Sequence, residues 1–94
     1  TLTGLTMADE GNIVVNTANG TKIGTATTQK LGFFNATPVV QQSNIPDASM
    51  SQAAISGAPT QEDFNGLRTD VQNLTTKMNA ILAALEALGL LATA

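Results

Sequence analysis

Along the last third of the chain the large apolar side chains fall at Phe64, Leu67, Val71, Leu74, Met78, Ile81, Leu85 and Leu88. The steps alternate three, four, three, four without interruption, which predicts one α-helix whose apolar stripe follows a heptad repeat. Phe64, Val71, Met78 and Leu85 take the a positions. Leu67, Leu74, Ile81 and Leu88 take the d positions. The ends carry matching signals. Pro59 precedes Thr60, a good N-cap, and Glu62 and Asp63 place acids where the helix dipole favours them. Thr60 and Asp63 have the spacing of a capping box, with Asp in place of the usual Glu or Gln. Gly89 is a plausible left-handed residue just past the end.

Ahead of the helix the pattern changes twice. Residues 1–42 are rich in Thr, Gly and Asn, with apolar residues in short clusters. Ile13-Val14-Val15 and Thr21-Lys22-Ile23 read as two short strands, and Asn19-Gly20 between them suits a type I′ hairpin turn. Leu31, Phe33 and Phe34 form the one aromatic cluster before the helix, and Pro38 confines any strand there to an edge or a start. Residues 43–59 are an Ala/Ser/Pro/Gln connector with few large apolar side chains, Ile45, Met50 and Ile55. A short helical turn is expected over 47–54, capped by Asp47 or Ser49. The division is therefore a β-rich segment (1–42), a connector (43–59) and a coiled-coil helix (60–91).

A two-stranded hairpin alone is marginal in water, and so is an isolated amphipathic helix. Each buried a or d side chain contributes about 1.5–3 kcal/mol of transfer free energy, so assembly and folding are expected to be one event. The intramolecular alternative is that the helix folds back onto the N-terminal region, which would not require the strict 3.5-residue spacing. Thr69, Thr76, Asn65, Asn73, Gln72 and Asn79 keep the outer face polar, and Asp63 at g lies opposite Arg68 at the next e. Toward the C-terminus Ala80, Leu82, Ala83, Ala84 and Ala87 make that face apolar, and Leu90 and Leu91 extend it past Gly89. The residues at a and d leave two, three and four strands open.

Composition narrows the chemistry. The chain has 94 residues, no Cys, no His, no Trp and no Tyr, and only 12% charged residues. Thiol and histidine chemistry are excluded, and no catalytic residue, cofactor site or metal site is expected. A net charge of −3 with four basic residues gives no nucleic-acid footprint. No apolar run approaches the ~20 residues of a membrane span. Thr1-Leu-Thr-Gly4 lacks the basic and apolar regions of a signal peptide, and reads as a processed end or a point within something longer. Asp9-Glu10 read as a solvated loop. Lys22 and Lys30 read as edge protection more readily than as an anion or glycan site. Gly20, Gly24 and Gly32 match no phosphate-loop spacing.

The run from Asn19 to Gln41, NGTKIGTATTQKLGFFNATPVVQ, resembles a segment of many bacteriophage and prophage fibre proteins. The ending Met78–Ala92, MNAILAALEALGLLA, resembles the C-terminal helix of the same proteins. The likeness covers most of residues 11–42 and 77–92. Asn35 stands where a Gly is frequent, and the connector differs. The resemblance implies a mixed, elongated fold: a short interwoven β segment followed by a parallel coiled-coil helix, in an intertwined homotrimer. It implies a structural virion fibre, with trimerisation and attachment as its role and other virion proteins as partners. A host receptor- or glycan-binding module, contacting the host cell surface through the β region, is the alternative. The expected oligomer interface joins the eight a and d residues to Leu31, Phe33 and Phe34.

Overall fold

The computed structural model describes residues 1–93. Its one regular element is helix α1, Gln61–Leu88, 28 residues long and so about 42 Å from end to end. Both ends are closed by the chain's own groups. The Thr60 hydroxyl accepts from the Asp63 amide at 3.2 Å, and an Asp63 carboxylate oxygen accepts from the Thr60 amide at 2.9 Å. The shorter Asp side chain thus completes the capping box. At the other end Gly89 adopts φ 87°. Its amide donates to the Glu86 carbonyl at 3.1 Å, and the Leu90 amide donates to the Leu85 carbonyl at 3.0 Å. Together they form a Schellman closure. Inside the helix, Thr69, Thr75 and Thr76 return their hydroxyls to the carbonyls four residues back, at 2.9–3.0 Å.

Residues 1–60 form no strand, and the β-rich segment is corrected in this respect. Ile13–Val15 and Thr21–Ile23 stay unpaired and exposed, because a three-residue strand finds no edge within one chain. The hairpin at Asn19-Gly20 does not form either. Gly20 has φ 73°, but Asn19 is not left-handed. A double left-handed turn sits instead at Phe34 (φ 48°) and Asn35 (φ 65°), where the Ala36 amide donates to the Phe33 carbonyl at 2.9 Å. This is the φ pattern of a type I′ turn. Around it Leu31 and Val39 exchange both backbone hydrogen bonds, at 2.9 and 3.0 Å, as an isolated antiparallel bridge. Pro38 lies beside this bridge without being asked for a ladder hydrogen bond. The helical turn expected over 47–54 is absent, and that stretch is irregular.

The 31–39 loop docks on the C-terminal end of α1. The Phe33 amide donates to the Leu88 carbonyl at 2.8 Å, one of the carbonyls a helix end leaves free. A Cβ on Gly89 would collide with the Phe33 carbonyl oxygen and come within 2.6 Å of the Ala36 Cβ. From there the connector climbs antiparallel to α1 and returns to Thr60 at its start. The shape is long, 66 × 35 × 29 Å, with a radius of gyration of 21.0 Å, against about 12 Å for a compact domain of this length. Among the described residues no hydrophobic side chain is fully buried.

Gly89 therefore serves two demands at once, a left-handed backbone and a close approach. Gly89→Ala is expected to lose about 1–2 kcal/mol from the backbone alone, and to release the 31–39 loop. Amide hydrogen exchange should show protection falling at Phe33 and Leu90 together, with the middle of α1 unaffected.

Candidate interaction surface

The a and d residues from Phe64 to Ile81 form a continuous stripe along α1, and each is between 48% and 62% exposed. Leu85 and Leu88, in the last turn, are half-buried. The chain does fold back on its helix, but along a different face. Before the last turn, the positions of α1 with reduced exposure are Asp63, Gly66, Asp70, Lys77, Ala80 and Ala84. All are c or g positions of the heptad, centred about 110° around the helix from the a/d stripe. The connector thus covers the g/c flank and leaves the seam open.

Asp70 fixes the connector in place. It is the one buried residue among those described, 8% exposed. Its carboxylate accepts from the Ser51 amide at 3.0 Å, the Ser51 hydroxyl at 2.7 Å and the Gln52 amide at 2.9 Å. These donors, led by the Ser51 hydroxyl, hold its pKa below the ordinary 3.8. Gln52 also reaches Asp63, its Nε2 donating to the carboxylate at 3.5 Å. The Gln52 side chain occupies the space where a Cβ at position 66 would lie, so Gly66 is a notch for it. Asp63, held by its own N-cap and by Gln52, has its pKa lowered chiefly by the Thr60 amide.

The strap so formed borders the seam. Met50 lines one groove with Leu67, Val71 and Leu74. Ile55 and Pro59 line the next with Phe64 and Leu67. Leu31 shares a third groove with Leu88, and Lys22 and Lys30 stand on its rim with Gln29 and Gln41. Phe33 is tied to the helix end, whereas Phe34 points away and is 87% exposed. In the single chain, then, Leu31 and Phe33 gather at the Leu88 end of the seam, and Phe34 does not join them. Asp9 and Glu10 lie in an exposed turn closed by the Gly11 amide on the Ala8 carbonyl at 2.9 Å. Asp70, Ser51, Gln52 and Gly66 do not stand out in the sequence. The one available signal was a glycine in the interior of an otherwise strong helix, which costs about 1 kcal/mol against Ala and calls for a packing reason.

Among the described residues no cluster of three or more His, Cys, Asp or Glu could hold a metal ion. Among them, too, no helix is long and apolar enough to cross a membrane. The chain matches no protein-family model, no curated protein and no solved structure.

The lowered pKa of Asp70 gives the strap a pH dependence of definite sign. Its stabilisation is complete above the unfolded carboxylate value near 3.8 and is lost as pH falls through the lower folded value. Exchange protection of the Ser51 and Gln52 amides is expected to hold at neutral pH and to disappear in strong acid. In Asp70→Asn that transition should be absent, with protection weak throughout.

Proposed function

We propose that this chain is a structural, homotrimeric segment of a bacteriophage fibre, in which the open a/d seam of α1 closes as a parallel coiled coil. The observation that carries the reading is the unbroken apolar stripe left uncovered while the chain spends its own connector on the neighbouring flank. Surface area supports it. The single chain exposes 8494 Å², whereas a folded monomer of its 9.6 kDa exposes about 5,100 Å². The excess is about 3,400 Å² per chain; three chains sharing three pairwise interfaces would bury about that total at each, within the range for obligate interfaces. The fibre assignment rests on the resemblance of residues 19–41 and 78–92 to fibre proteins. The choice of three copies rests on the same resemblance. The segments 13–15 and 21–23 form no strand in one chain, and edges supplied by neighbouring chains would let them pair.

Light scattering on the folded chain at micromolar concentration is expected to give about 29 kDa, three times the 9.6 kDa of one copy. A monomeric mass with α1 intact would refute the proposal. An antibody against the chain should decorate intact virions, and labelling confined to material outside particles would remove the fibre role.

Leu74→Asp places an unpaired charge in the middle of the seam, a change that costs about 3–5 kcal/mol when the site is buried. It should dissociate or unfold the assembly. Thr76→Asp, on the outer face, should stay within about 0.5 kcal/mol of the parent. Thermal unfolding of the two variants side by side checks the register, and a stable Leu74→Asp oligomer would show it to be wrong.

A further inference from the structure

The strap covers one flank of α1 only. It sits on the g/c side through Asp70, Ser51 and Gln52. The other border of the seam, the e positions Arg68, Thr75 and Leu82, is exposed. This asymmetry discriminates between ways of pairing two copies. In a parallel coiled coil the g flank of one helix meets the e flank of the next. In an antiparallel one, g meets g and e meets e. Antiparallel pairing would press strap against strap on one side and leave two bare e flanks on the other. Parallel pairing sets each strap against a bare flank, with no strap left over. The strap is also dressed for contact. Met50 is 79% exposed and stands beside Leu67, Val71 and Leu74 at the seam's edge, although the backbone on its C-terminal side is held down by the Asp70 carboxylate. A buried ionised group spent on presenting an exposed methionine has no return within one chain.

We infer that the strap of residues 48–55, latched by Asp70, is itself part of the interface between copies, with Met50 packing on the e flank of the neighbouring copy near Thr75 and thereby fixing parallel orientation. The occupant is a second copy of this chain, and the inference rests on the oligomer proposed above. Thr75 suits the position. Its hydroxyl is satisfied by the Val71 carbonyl at 2.9 Å, so its burial leaves no donor unpaired. Leu82, one heptad on, continues the apolar flank toward the C-terminus.

The chain has no cysteine, so engineered pairs report cleanly. Met50→Cys and Thr75→Cys chains, prepared separately, are mixed, unfolded, refolded together and oxidised. A disulfide joining position 50 of one chain to position 75 of another is expected in the refolded mixture, well above the level of cross-linked dimer in either variant alone. Adding Asp70→Ala to the Met50→Cys chain should reduce that cross-link several-fold while light scattering still reports an oligomer. An oligomer without the cross-link overturns the strap inference and leaves the coiled-coil reading standing. A cross-link undiminished by Asp70→Ala shows that the latch does not position the strap. A monomeric mass for both variants and for the parent overturns both readings together.

Discussion

An apolar stripe on one helix cannot be buried by that helix, and everything else in this chain is arranged around that constraint. Eight large side chains run down one side of α1. The segment that could have covered them lies about 110° away, over Asp63, Gly66 and Asp70. The helix is finished in every local respect, with a capping box at Thr60 and Asp63 and a Schellman closure at Gly89. What it lacks is a partner for its seam, and local hydrogen bonding cannot provide one.

The polar interactions are concentrated where the connector touches α1. Asp70 gathers three donors from two consecutive residues, and Gly66 gives Gln52 room to lie against the helix. The missing side chain at Gly66 lets the strap pass close to the helix beside the seam. At the far end the Phe33 amide on the Leu88 carbonyl anchors the 31–39 loop. The chain is thus clipped to its own helix near Asp70, on the flank beside the stripe, and at the helix end, on the backbone of the last d residue, Leu88.

The helix was legible because its signals are local and repetitive: a heptad, an N-cap with acids behind it, and a glycine at the end. The N-terminal strands were not, because strand propensity describes a residue's fit to a sheet and not the presence of one. Ile13–Val15 have the propensity and no edge to pair with in the single chain. The turn at Asn19-Gly20 illustrates the same limit. The left-handed pair forms at Phe34 and Asn35, where the Leu31–Val39 bridge on one side and the helix end on the other hold it. Phenylalanine disfavours that backbone, so no local rule selects it. The Asp70 latch escaped for a related reason. An acid and a serine 19 residues apart carry no spacing signal. Only the path of the connector brings them together.

If the seam is closed by other copies of the chain, the folding of α1 is coupled to association, and its stability must depend on protein concentration. Thermal unfolding of the helix followed by circular dichroism, over a hundredfold range of concentration, tests this directly. The account predicts a Tm that rises steadily with concentration and a helical signal that falls on dilution. A sharp transition at one fixed Tm across the whole range would mean that the single chain is stable with its seam open, and would contradict it.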